Sequence, residues 1–564
     1  MMRFARSTGL LLGPLTLACA ALGCGDDVGS TGGDEIDGTT SVADTVVDSS
    51  TEVGTMDADT TSDTTSGDTT STSTTTTTDT DSESSTTSGT KFDFSPPDLG
   101  GNNGLPPAFP ETCEEAESTT TSVGCEFYPL ALPGTQQITG FMVSNVSDSV
   151  ANVSLSDKNG MVQQAQVQPG ATHLFSDNGA HKMNAVTGLG DDGYVIESDQ
   201  VLQVFQYMPP DGTVTADASI VLPGPALGDR HRVVTYNVHN NNTWQYAAVV
   251  ATEDNTEVTF TLAQPGSETL AGGSFQALSY DMGMDVLVAN LNRLDTLVIA
   301  GHWENVDAEL NEFSGSVIES DKPIAVYSGK QLANIPEGQC CADLIATSVP
   351  PTSVYGTEYA GVRFLPVGQP GKYDIWRVIG NEDGTVIELT GDYQDTIMLD
   401  EGEFADIATG DVFWAAANKP FGMAHFMTGG SLLPMPFQPY DCPDVLQNPG
   451  DPAVGWVYPK GNWLNRYLFS PGTGSSLWCH DHVTIVAALS DWDQIMMDGQ
   501  PLPDPTPIGG GSNHGYVYVP VPNPSHEIVA PPTVGVEVSV YGFVSHGSYF
   551  YPGGVGLQEL NPAG

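Results

Sequence analysis

One piece of text occurs twice in this chain, Val195-Ile196-Glu197-Ser198-Asp199 and Val317-Ile318-Glu319-Ser320-Asp321, and each copy closes a larger recurring pattern. The pattern begins with a strand, an acidic turn and a second strand. It reads Phe141–Asn145 with Asn152–Leu155, Ala247–Thr252 with Glu257–Leu262, Ile375–Gly380 with Thr385–Leu389, and Val483–Leu489 with Gln494–Met497. Looser closing strands stand at Asn418–Ala424 and Val536–Tyr541. Three connectors echo one another: Asp217-Ala218-Ser219 leads to Pro223 and Tyr236, Ala342-Asp343-Leu344 to Pro350-Pro351 and Tyr359, and Asp451-Pro452-Ala453 to Pro459 and Tyr467. A repeat of about 100–120 residues fits β-sandwich modules better than solenoid rungs. A closed, propeller-like ring of the four units is the alternative arrangement.

Within the repeats, short runs of Val, Ile, Phe, Tyr and Thr alternate with polar residues between Gly, Asn, Asp and Pro turns, and no segment keeps a helical period. Asp157-Lys158-Asn159-Gly160, Asp177-Asn178-Gly179, Glu382-Asp383-Gly384 and Asp498-Gly499 are tight-turn signals, because their residues tolerate positive φ. The expected fold class is therefore all-β: tandem β-sandwich-like repeats, four related units, preceded by a disordered Thr/Ser/Asp-rich linker.

The N-terminal part reads differently. Arg3 and Arg6 precede an apolar run from Leu10 that is too short to span a bilayer. It ends at Ala21-Leu22-Gly23-Cys24, which resembles the bacterial lipobox and makes Cys24 the lipidation candidate. No Lys or Arg follows between Arg6 and Lys91, and runs such as Thr70–Asp81 have nothing to bury, so they are expected to stay solvated. The expected divisions are 1–23 lipoprotein signal peptide, 24–97 acidic tether, 98–139 disulfide-containing lead-in, then β repeats with their connectors at 140–240, 241–365, 366–470 and 471–564.

Charge excludes one class of partner. Sixteen Lys and Arg stand against 70 Asp and Glu, a formal charge of -54, which repels phosphate backbones and rules against nucleic acid. After Cys24, six cysteines remain as disulfide candidates: Cys113, Cys125, Cys340, Cys341, Cys442 and Cys479. Cys113 with Cys125 closes a short loop and is the first pairing expected. Cys442 with Cys479 is a second by proximity, which leaves Cys340 and Cys341 to each other or unpaired.

Several stretches resemble the N-terminal domain family of IgGFc-binding proteins. They are Leu227–Tyr236, Val249–Thr259, Ile318–Gly329 and the ending Tyr541-Gly542-Phe543 with Ser548–Gly554. The likeness spans roughly Gly140 to Leu557. Where the family often carries an acidic-Gln pair and then Trp-Gly, this chain has Ala346-Thr347 and Tyr355-Gly356. The resemblance implies a β-rich extracellular recognition module without catalytic residues.

Four constellations invite a chemical reading. Cys479-His480-Asp481-His482 places two imidazoles on one face of a strand, but with no third ligand in sight a core role is expected and no metal is assigned. Arg230-His231-Arg232 is either a patch for an anionic glycan or a set of internal ion pairs. The acidic turns at Asp254-Asn255, Glu382-Asp383, Asp491 and Asp493 lack EF-hand spacing, which leaves Ca2+ binding open. Trp376, Trp414, Trp456, Trp463, Trp478 and Trp492 form either a sugar platform or core. Gly315-Ser316 and Gly547-Ser548 lack the nucleophile elbow, and no HExxH, phosphate loop or GxGxxG opening a helix is present. The expected protein is thus a non-enzymatic, cofactor-free, lipid-anchored adhesin of the outer membrane or cell surface, with an extracellular glycan, matrix polymer or protein as ligand. The rival readings are an envelope component without a ligand, and a surface polysaccharide hydrolase.

Overall fold

A computed structural model describes residues 105–562, apart from 134–137, 178, 180, 182, 209–215, 237–242, 302–310, 338–341, 366–372, 430–449, 473–479, 523–524 and 545–546. The signal segment, the tether, Cys24, Cys340, Cys341, Cys442, Cys479 and Trp478 lie outside the described residues. One four-residue helix, α1 (Cys113–Ala116), precedes a body built of strands. No helix among the described residues is long and apolar enough to cross a membrane.

The first unit holds β1 (Val123–Phe127), β2 (Gly140–Asn145), β3 (Ala151–Asp157), β4 (Gly160–Val167), β5 (Thr172–Ser176), β6 (Gly188–Gly190), β7 (Val195–Met208) and β8 (Asp217–Val221). The second holds β9 (Arg230–Arg232), β10 (Gln245–Ala251), β11 (Thr256–Thr261), β12 (Val286–Leu291), β13 (Thr296–Ala300), β14 (Val317–Ser320), β15 (Ile324–Ala333) and β16 (Asp343–Ser348). The third holds β17 (Gly356–Gly361), β18 (Asp374–Gly380), β19 (Thr385–Gly391), β20 (Asp395–Leu399), β21 (Phe404–Thr409), β22 (Phe413–Met427) and β23 (Ala453–Val457). The fourth holds β24 (Arg466–Phe469), β25 (His480–Ala488), β26 (Met496–Met497), β27 (Gln500–Pro501), β28 (Thr506–Pro507), β29 (His514–Pro520), β30 (His526–Val529), β31 (Val536–Val544) and β32 (Gly547–Pro552).

The same antiparallel pairings recur in every unit. In the first, β7 takes β1, β2, β3 and β8, while β2 takes β5 and β3 takes β4. The third repeats this with β22 at the centre. In the second and fourth units the central strand is broken, so β14 and β15, or β30 and β31, share its partners. The break in the second unit falls at Asp321-Lys322-Pro323, although the matching Asn418-Lys419-Pro420 lies within the continuous β22. The all-β class with four related units is thus the observed fold. The turns follow the sequence as well: Asp498 and Gly499 have φ of 50° and 71°, the paired positive values of a type I′ hairpin.

These units close on themselves. The last strand of each, β8, β16, β23 and β32, contacts the next in cyclic order, and β32 returns to β8. All four are buried along their whole length. Their side chains, among them Ile220, Ile345, Val454 and Tyr551, belong to one apolar cluster that runs through all four units. The seam between first and last units is sewn by backbone: Ser122 N–H donates to Val555 at 2.8 Å and Leu557 N–H to Thr120 at 2.8 Å. At the axis, Asp217 Oδ2 accepts the N–H of Ala346 at 3.0 Å and of Val454 at 3.2 Å, and Oδ1 accepts Ala218 N–H at 2.8 Å.

A glycine makes three of the four joints possible. A Cβ on Gly124, Gly228 or Gly356 would lie 2.4, 2.4 or 2.5 Å from the Cβ of Pro223, Pro351 or Pro459. The proline that ends each connector therefore packs on bare backbone. Gly228→Ala is expected to lower stability by about 1–3 kcal/mol through overpacking, read as a lower urea midpoint at unchanged slope. Gly188→Ala, where a Cβ meets nothing within 4 Å, is the control and should leave the midpoint in place.

Candidate functional site

The lead strand of each unit, β1, β9, β17 and β24, carries a charged residue of alternating sign: Glu126, Arg230, Glu358, Arg466. Register makes the first two equivalent, since Glu126 faces Glu197 and Arg230 faces Glu319 within the duplicated closing strands. Tyr128 then stands where Arg232 stands. The two joints built from these residues differ in a way that matters for binding.

Between the second and third units the joint is filled. Arg230 pairs with Glu319 at 3.3 Å and Glu401 at 2.7 Å. Arg232 is 2 % exposed, donates to Asn381 Oδ1 at 3.1 Å and Gly315 O at 3.0 Å, and meets Glu401 at 2.6 Å. His231 is buried with its ring nitrogens on Val349 O and Gly228 O, and burial lowers its pKa. Nearby, Arg377 holds Asp406 with two bonds of 2.7 and 2.8 Å, reaches Thr235 O and Glu312, and lies over Tyr236, Phe404 and Phe426. The basic island is a structural joint, and its guanidinium groups are taken up by the chain's own acids.

Between the first and second units the charges are exchanged and the joint stays open. Arg293 occupies the turn position that Glu401 holds one unit later, and it lies 3.5 Å from Glu126 and 3.8 Å from Glu197. Tyr128, 3 % exposed, stands in place of Arg232, with its hydroxyl 3.5 Å from Thr252 O, and brings no positive charge to the joint. What remains is a cleft of about 680 Å3 bordered by Glu117, Glu126, Tyr128, Glu253, Asp254 and Arg293. The disulfide Cys113–Cys125, with Cα atoms 5.7 Å apart, ties α1 to β1 and so fixes Glu117 and Glu126 on one rim. Tyr128 donates its hydroxyl to Glu126; burial, and then that carboxylate, hold its pKa well above the usual tyrosine range. The cleft therefore presents carboxylate acceptors and one half-exposed guanidinium, a surface that attracts cations and hydrogen-bond donors.

The other sequence candidates lie in the core or are already partnered. His480, Asp481 and His482 are buried in β25, and the two imidazole rings meet edge to face at 4.7 Å. Burial lowers their pKa values to about 3 and about 4 and raises that of Asp481 to about 8. No third ligating side chain joins them among the described residues. Trp376, Trp414, Trp456, Trp463 and Trp492 are all buried, so none of these five offers a sugar platform. Lysines close two of the acidic turns: Lys322 Nζ donates to Asp254 O and Asn255 O, and Lys419 Nζ to Asp383 O at 2.6 Å. Asp491 Oδ1 accepts from Gln494 Nε2 at 3.4 Å and its carbonyl from Gln494 N–H at 3.0 Å, and Asp493 lies in a short 3-10 turn. Ser316 and Ser548 are buried with backbone partners.

The cleft went unmarked in the sequence because its rim comes from α1, β1 and three turns of the next unit. The only textual trace is the opposite sign at Glu126 and Arg230, which has meaning once the register is known. The profile of a family described as IgGFc binding protein matches residues 217–542, more than half of the chain. No curated protein matches it.

Proposed function

The chain belongs to the IgGFc-binding protein family, and from that premise we propose that it works by binding, with the open cleft between the first two units as the docking site. In this reading, lipid on Cys24 anchors the protein at the bacterial surface, the tether 24–97 carries the ring outward, and no reaction is catalysed. The ligand is a positively charged segment of an extracellular protein. One observation carries the choice: the joint that Arg232 fills between units two and three is, between units one and two, an acid-rimmed cleft of about 680 Å3. Carboxylates on such a rim guide a basic partner in and set its orientation, while contact with half-buried Pro225 adds apolar area.

A fluorescent arginine-rich peptide in physiological salt is the direct probe. Saturable binding should weaken at least tenfold in Glu126→Gln/Asp254→Asn and stay unchanged in Asp493→Asn, a unit-four control. Equal affinity in all three proteins would show only the general attraction of a polyanion, and the cleft would lose its claim.

A further inference from the structure

Beyond the cleft, a second group of side chains assembles where the first unit reaches into the second. β6 leaves the first unit and pairs with β13 of the second. Its flanks carry His181 on one side and Asp191 and Asp192 on the other. Each of these three offers one ligating atom, and the atoms all lie within 4.8 Å of one another. We propose that His181, Asp191 and Asp192 bind a divalent transition cation of the Zn2+ or Mn2+ type, which pins this exchanged strand.

Distance, ligand type and unmet bonding agree on this. Ligand atoms held tetrahedrally at about 2.0–2.2 Å lie about 3.3–3.6 Å apart, so a group whose atoms fall within 4.8 Å of one another closes on an ion by side-chain shifts of up to about 1 Å. One imidazole among carboxylates favours Zn2+ or Mn2+ over Ca2+ and Mg2+, which take oxygen throughout. His181 Nε2 is bonded to Asp157 Oδ2 at 3.3 Å, which fixes the orientation of the ring.

The surroundings supply the independent sign. Asp177 is 3 % exposed; its Oδ1 accepts the N–H groups of Thr139 at 2.9 Å and Gly179 at 3.0 Å, while Oδ2 has no hydrogen-bond partner. His181 acts on that carboxyl electrostatically. Tyr194, fully buried, sets its ring edge-on to His181 at 5.0 Å. Its hydroxyl is also without a partner, and the charges acting on it are those of Asp177, Asp157 and Asp192. Buried polar oxygens are ordinarily bonded, and these two, next to the cluster, are not.

Co2+ is a suitable probe because its visible absorption reports coordination, and Zn2+ titration by calorimetry gives the stoichiometry. The full chain in physiological salt should show one tight site per molecule. His181→Gln and Asp191→Asn should each weaken it at least tenfold, whereas Asp493→Asn should not. Asp191 is exposed, so its replacement leaves the fold intact and decides the matter if the His181 variant unfolds. Only weak, multiple binding in the parent chain, or full affinity in Asp191→Asn, would overturn the assignment.

Discussion

Replacing Asp217 with alanine is expected to break the ring. The carboxylate is fully buried at the axis and gathers N–H groups from its own strand and from the other three units: Ala218, Ala346, Val454 and Phe550. Each orphaned donor costs about 1–3 kcal/mol, and three of them cross between units, so the sum competes with the roughly 5–15 kcal/mol that holds a domain folded. An opposing effect exists, because burial raises the pKa of this acid and its removal relieves a desolvated group. The donors outweigh it, since they are fixed by backbone and cannot turn away. Asp217→Asn keeps one acceptor oxygen and should fall between the parent and Asp217→Ala. Urea midpoints and limited proteolysis will read the order. An alanine variant within about 1 kcal/mol of the parent would remove Asp217 from the centre of the account.

Much of this architecture was legible in the text. The two copies of Val-Ile-Glu-Ser-Asp occupy equivalent places, and Asp498-Gly499 forms the turn its residues favour. The connectors were visible as echoes, with Asp217, Asp343 and Asp451 in matching positions, but their burial was not. A strand covered on both faces has no alternation to betray it, so β8, β16, β23 and β32 read as links when they form the axis. The cleft and the His181 cluster stayed hidden for a different reason. Their residues come from strand ends and turns whose spacing obeys no motif, and the register between units brings them together. His480-Asp481-His482, in the most chemical string to the eye, lie in the core as expected.

That core string makes its own prediction. Burial raises Asp481 to about 8, against which the 2.6 Å bond from the Tyr549 hydroxyl is a smaller, opposing influence. The folded chain therefore keeps a proton that the unfolded chain gives up near pH 4, and folding loses about 1.4 kcal/mol per pH unit between those two values. The stability is full below pH 4, falls as pH rises, and is gone above 8, a change of about 5 kcal/mol. His480 and His482 act in the opposite sense: held neutral, they cost stability as pH falls below the usual histidine value. Comparing Asp481→Asn with the parent at each pH cancels the histidines. The amide still accepts from Tyr549 and cannot ionise, so the variant should match the parent near pH 4 and exceed it by several kcal/mol at pH 8. Urea midpoints measured across that range should separate steadily. Parallel curves would mean that Asp481 is ionised in the folded chain, and that water or an unrecognised cation reaches it.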